Sequence, residues 1–136
     1  MRTVMLAVLI LIGGIVMSQS NPPSVAAADK PAKLLRHIVL YKFYDGLHAD
    51  RVRELIDAFA ALPDKIDTIV SLEHGENVSQ EGKSEGLTYG FVVTFKSQAD
   101  LDAYIKHPAH QEYVKIAKDR REKAVVFDFW TSAPAG

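Results

Sequence analysis

The chain contains no cysteine. That absence removes disulfides, thiolate nucleophiles, cysteine-ligated zinc, iron–sulfur clusters and lipobox acylation together. Any metal site has to be built from His, Asp or Glu. An excess of charge of one sign is missing as well: 16 Lys and Arg stand against 17 Asp and Glu, a formal net charge of −1, with no long run of either sign. Such a balance supplies no basic stripe able to follow a phosphate backbone, so nucleic acid is not an expected partner. Internal repeats and low-complexity tracts are absent too. The 136 residues, 48% of them hydrophobic, suit one domain with a buried core and leave no room for a second.

One long hydrophobic run is present, at the amino terminus. Met1-Arg2-Thr3 is a short basic start, Val4 to Val16 is apolar apart from Gly13-Gly14, and Met17 to Ala28 turns small and polar. The run falls short of the about 20 apolar residues a membrane-crossing helix needs, and Ala26-Ala27-Ala28 places small residues where a signal peptidase inspects them. Residues 1–28 therefore read as a secretory signal, 29–34 as a short linker and 35–131 as the folded domain. Export to the periplasm or the exterior is the expected location, with no membrane contact after cleavage. An uncleaved membrane anchor with a Pro-rich tether is the alternative.

Beyond the linker the hydrophobic period changes several times. Leu35 to Tyr44 is rich in β-branched and aromatic residues and reads as a strand, with His37, Val39, Tyr41 and Phe43 on one face and Ile38, Leu40, Lys42 and Tyr44 on the other. Val52, Leu55, Ile56, Phe59 and Leu62 recur at helical spacing until Pro63-Asp64. Strands are expected over Ile66 to Glu76 and Leu87 to Phe95, separated by a polar loop. Ser97 resembles a helix cap, and the helix it starts runs to Lys106. A third helix follows Pro108, with Lys115, Lys118, Asp119, Arg120 and Arg121 outward, and Ala124 to Trp130 is the last strand. The order β, α, β, β, α, α, β predicts an α+β, ferredoxin-like sandwich with a four-stranded antiparallel sheet and helices on one face. The other face, with Ile38, Leu40, Val92 and Trp130, is apolar and needs a cover, which predicts a homodimer closed sheet to sheet.

Chemistry concentrates in Tyr104-Ile105-Lys106-His107-Pro108-Ala109-His110-Gln111-Glu112-Tyr113, where two imidazoles and two phenols surround one helix start. Proline suits the first helical turn, so His107 precedes the helix and His110 lies in that turn. The positive end of the helix dipole disfavours imidazolium and keeps a proton-accepting ring available near neutral pH, which suits a general base. The competing assignment makes His107 a cap, His110 a packed polar residue and His37 a satisfied core histidine. A third assignment is a metal or haem site, using His107 and His110 with His37 or Glu112. His48 and His74 need only surface roles.

The strand Arg36-His37-Ile38-Val39-Leu40, the helix with Leu55, Ile56 and Phe59, the Tyr104 to His110 segment and the ending Val126-Phe127-Asp128-Phe129 together resemble the stress-responsive dimeric α/β-barrel (Dabb) family, from about Leu34 to Trp130. The resemblance implies a dimeric α/β barrel, and it includes the olivetolic acid cyclase branch, which closes a linear polyketide by aldol condensation without a cofactor. Matched to that branch, His37, Tyr104 and His110 are the implied catalytic residues. The third-strand histidine of the branch is replaced by Tyr89, a hydrogen-bond donor but a poor base at neutral pH. The implied pocket between sheet and helices takes Val39, Tyr41, Ile56, Phe59, Phe91, His107 and Tyr113 as its lining. The bulk of Tyr41, Phe59 and Phe91 favours a small apolar or aromatic carbonyl compound or acid over a long acyl chain; with the third-strand group altered, binding of such a ligand is the expected function, and a cofactor-free polyketide cyclase or aldol/isomerase-type lyase using His110 as general base is the alternative.

The amino-terminal reading has a direct check: protein recovered from its source cell should begin at Asp29 by intact-mass analysis, whereas an intact Met1 in the membrane fraction would identify the anchor.

Overall fold

The first strand sets the frame, because its alternation of large apolar residues is anchored on both sides by neighbouring strands. The computed structural model describes residues 33–131, so the expected signal and the linker up to residue 32 lie outside the described residues. Within them the order is β1 (Leu35–Phe43), α1 (Ala49–Ala60), a 3-10 turn (Leu62–Asp64), β2 (Ser71–Glu76), β3 (Tyr89–Phe95), α2 (Gln98–Lys106), α3 (Pro108–Lys118) and β4 (Arg121–Trp130). The sheet has the order β2-β3-β1-β4, and every neighbouring pair is antiparallel. This is the expected α+β, ferredoxin-like arrangement.

The core lies between the sheet and the helices. Leu35, Val39 and Tyr41 of β1 join Phe91, Val93 and Phe95 of β3, and over them pack Leu55 and Phe59 of α1, Leu101 and Tyr104 of α2, and Tyr113 and Ala117 of α3. Phe59 stacks on Phe91 with centroids 3.9 Å apart, which ties α1 to the sheet centre. Local signals hold the helix ends. Ser97 Oγ accepts from the Asp100 amide at 3.1 Å, and His107 Nδ1 accepts from the Ala109 amide at 3.0 Å, each satisfying a first-turn N–H that has no partner inside its helix.

The structure departs from expectation in several places. The residues after Pro63 do not run straight into a strand: Ile66 donates its amide to the Leu62 carbonyl at 2.9 Å, turns inward and is buried, and β2 begins only at Ser71. Helix α3 stops at Lys118, and β4 starts at Arg121, three residues before the expected Ala124. Arg120 is accordingly not outward but buried, with its Nη2 2.5 Å from Glu54 Oε2 on α1. Trp130 is not on the uncovered face: it pairs with Leu35 and so shares the helix side of the sheet.

The uncovered face carries Ile38, Leu40 and Val92 as expected, joined by Val125, Phe127 and Phe129 of β4, whose partners across the ladder are Leu40, Ile38 and Arg36. Phe127 is 62% exposed and Phe129 40%, so the described residues leave this apolar surface uncovered. No helix among the described residues is long and apolar enough to cross a membrane.

Candidate functional site

The pairing of β1 with β4 builds one corner of the site. His37 stands directly opposite Asp128 in the ladder, and their side chains meet with Nδ1 2.6 Å from Oδ1. A carboxylate accepts only, so the imidazole donates from Nδ1 and keeps Nε2 for the pocket side. His37 is 6% exposed, and its ring lies edge-on to Tyr104, with centroids 5.8 Å apart. Asp128 was quoted in the sequence only as part of the carboxy-terminal motif and given no site role; its place opposite His37 in the ladder reveals one.

The α2–α3 junction supplies the second corner. Pro108 opens α3, His107 caps it, and His110 swings back so that its Nδ1 lies 3.1 Å from the Ile105 carbonyl oxygen. A carbonyl cannot donate, so Nδ1 carries the proton and Nε2 the lone pair. Burial lowers the proton affinity of His110 below that of a free histidine, opposed by the hydrogen bond to Ile105, with the nearby His37 and Arg121 lowering it further. The ring is therefore neutral and able to accept a proton.

Between the two corners lies Tyr104, 1% exposed, its ring centroid 4.4 Å from that of His110. Its Oη is buried and has no hydrogen-bond partner among the described residues. A buried hydroxyl without a partner costs about 1–3 kcal/mol, so such a group in a cavity calls for a polar atom from elsewhere. Burial holds the phenol well above its ordinary pKa, which keeps it a donor. Further along β1, Tyr41 Oη and Tyr113 Oη are 2.8 Å apart, and Arg121 Nη1 donates to Tyr41 Oη at 2.9 Å.

These groups face one cavity of about 260 Å³, walled by Val39, Phe59, Val114 and Val126 around the polar atoms of His37, Tyr41, Tyr104, His110, Tyr113 and Arg121. It lies below the about 300–1,000 Å³ of drug-sized ligand sites. Of the sequence candidates, the structure brings His37, Tyr104, His110, Val39, Tyr41, Phe59 and Tyr113 together here. Phe91 is fully buried beneath Phe59 and has no surface to offer. His107 spends its Nδ1 on the α3 cap and is not on the wall.

Tyr89 and Ile56 border a different hollow, with Phe43 and Val52. Tyr89 Oη lies 2.7 Å from His74 Nδ1, since His74 of β2, opposite Phe91, is its diagonal neighbour on the same face. Burial and the nearby Glu76 raise the Tyr89 phenol pKa. A larger hollow, about 510 Å³, lies where Leu40 and Val125 of the uncovered face meet residues of the loop after β2. Glu76, Lys83, Glu85 and Tyr89 are on its wall, without an imidazole. Among the described residues no three His, Asp or Glu side chains gather closely enough to hold a metal ion.

Residues 35–131 match the stress responsive A/B barrel domain family. The chain is 34% identical to the stress-response A/B barrel domain-containing protein HS1 of Arabidopsis thaliana, over 70% of this chain and 87% of that protein. It is 30% identical to olivetolic acid cyclase of Cannabis sativa, over 70% of this chain and 94% of the cyclase. Among solved structures, a dimeric ferredoxin-like protein from Jannaschia sp. CCS1 superimposes with a TM-score of 0.62 at 31% identity, covering 71% of this chain and 97% of the other. The chain belongs to the stress responsive A/B barrel domain (Dabb) family.

Proposed function

We propose that this protein is an exported homodimer whose sheet–helix pocket binds a small carbonyl compound and, without a cofactor, catalyses an aldol or isomerisation step of the cyclase/lyase kind. One observation carries the reading: the neutral His110, its Nδ1 fixed to the Ile105 carbonyl, packs against the ring of Tyr104, whose buried hydroxyl lacks a partner among the described residues. In the proposed step His110 Nε2 takes a proton from the carbon beside the carbonyl. The C–H electron pair becomes the enolate, and Tyr104 donates a hydrogen bond to its oxygen. Attack of that carbon on a second carbonyl forms the new C–C bond, and the imidazolium returns the proton to the resulting alkoxide. The likeness to olivetolic acid cyclase supports this class of reaction. A second reading, binding without turnover, is favoured by Tyr89, which takes the place of the branch's third-strand histidine and lies outside the pocket, bonded to His74. The homodimer is supported by the exposed Phe127 and Phe129 on the apolar sheet face and by the dimeric state of the Jannaschia relative.

Exchange of the α-hydrogens of acetophenone in D2O, followed by proton NMR, tests the base. His110→Ala should lower the enzyme-dependent rate by about 100- to 10,000-fold. Tyr104→Phe should lower it without lowering the denaturant midpoint, since it deletes a buried hydroxyl that has no partner. Equal rates in wild type and His110→Ala would leave binding alone. The pH dependence has a definite sign. An unfolded histidine binds its proton near pH 6.5, whereas His110 in the fold binds it only at lower pH. Its share of stability is therefore present above about pH 6.5 and is lost as pH falls through the native value. The acid limb of the exchange rate should follow that same native value, and a histidine NMR titration of His110 with a midpoint above 6.5 would contradict it. For the assembly, light scattering should give a dimer at micromolar concentration and a monomer for Leu40→Asp, because that change buries an unpaired charge in the sheet-to-sheet interface. A folded wild-type monomer would refute the homodimer.

A further inference from the structure

The sequence Arg120-Arg121-Glu122-Lys123 crosses from the end of α3 into β4, and three of its four charges are satisfied within the chain. Arg120 pairs with Glu54 at 2.5 Å, Glu122 with Lys42 at 2.6 Å and Lys123 with Glu85 at 3.3 Å. Arg121 alone of the four has no carboxylate within ion-pair distance among the described residues. Its place in the pocket comes from an irregularity in the sheet. Lys42 pairs with Lys123, but the next residue, Phe43, pairs with Arg121, so Glu122 is the extra residue of a bulge. In a regular ladder Glu122 would oppose Phe43 and Arg121 would stand on the uncovered face. The bulge moves Arg121 to the helix side, where it lines the cavity, and bulges that re-aim a side chain in this way concentrate beside active sites.

Arg121 is held there firmly but sparingly. Nη1 donates to Tyr41 Oη at 2.9 Å, and the guanidinium carbon is 5.1 Å from the Tyr41 ring centroid, with Tyr41 Oη itself 2.8 Å from Tyr113 Oη. A guanidinium has five N–H donors in a planar fork, and the one bond to Tyr41 leaves the rest of the fork for a planar acceptor. No Asp or Glu is on the cavity wall, and Asp128, behind it, is engaged by His37. The cavity therefore contains one fixed cation, neutral donors and acceptors, apolar walls and no anion.

We infer that Arg121 is the anchor for a ligand carboxylate, which makes the substrate class a small carbonyl compound that also bears a carboxylate, with its apolar body against Val39, Phe59 and Val126. This inference rests on the pocket reading above and adds to it the charge of the ligand. It also gives the bulge a role: Arg121 determines specificity without exchanging a proton with the substrate.

The test uses benzoate and its neutral isostere benzamide as probes, with binding to the purified protein followed by NMR. Wild type should bind benzoate at least about tenfold more tightly than benzamide, an energy difference typical of one charge-assisted contact. Arg121→Met should erase the preference while benzamide binding stays, and Arg121→Lys should restore part of it. His110→Ala should keep the preference even where it abolishes hydrogen exchange, which separates the anchor from the base. Benzamide binding as tightly as benzoate in wild type would overturn the anchor and leave the pocket reading standing. Loss of both probes in Arg121→Met with an unchanged denaturant midpoint would show a structural role and overturn it as well, and so would a folded wild type that binds neither.

Discussion

The register between β1 and β4 is the constraint on which the rest of this molecule depends. Nine residue pairs connect the two strands, and the side chains of each pair lie on the same face. That ladder sets His37 against Asp128, fixing the imidazole tautomer with no help from a loop. It places Val126 opposite Val39, so that the outer strand contributes a wall to the cavity. It also delivers Phe127 and Phe129 to the uncovered face and Arg121, through the bulge, to the covered one. A slip by one residue would exchange the two faces of β4, removing Asp128 from His37 and turning Phe127 and Phe129 inward.

The second corner is local in origin. Pro108 cannot continue α2, and the chain leaves that helix through His107, whose extended backbone and side-chain cap start α3 at once. The carbonyl of Ile105, near the end of α2, is consequently free of a helical partner in the following turn, and His110 Nδ1 and Gln111 Nε2 both donate to it, at 3.1 and 2.7 Å. A helix end that needs donors and a histidine that needs orientation satisfy each other. The aromatic rings beneath, Tyr104 and Phe95 at 5.1 Å, hold the junction against the sheet.

Legibility in the sequence followed the range of the interaction. Strand alternation in β1 and β3, helical spacing in α1 and the Pro108 boundary are local patterns, and they gave element types and the covered face, while the grouping of His37 with Tyr104 and His110 came from the family resemblance. Long-range geometry was not legible. Arg121 looked like an outward charge at the end of a helix, because nothing local marks the helix stop at Lys118 or the bulge at Glu122. Tyr89 looked like a member of the site because it stands where the resembling branch has its third-strand histidine. It lies four residues along β1's ladder from His37, opposite Tyr41, and His74 of the neighbouring strand is near enough to engage its hydroxyl. Trp130 looked like part of the uncovered face because its distance in register from Leu35 cannot be counted until β4 is known to pair with β1.

The charges of the pocket form one system. Burial is the main cause of the lowered proton affinity of His110, and Arg121 adds to it. The same guanidinium that lacks a carboxylate among the described residues thus helps to keep the base unprotonated. A carboxylate seated on Arg121 would offset that charge and raise the proton affinity of His110, and by linkage a protonated His110 would strengthen the hold on the carboxylate by the same factor. Ligand arrival would then make His110 a better proton acceptor at the moment a C–H proton has to be taken. The contribution is smaller than that of burial, but it is specific to an anionic ligand. A cavity without Arg121 would keep the neutral base and lose this coupling, so the bulge at Glu122 connects the shape of the sheet edge to the acid–base chemistry of the α2–α3 junction.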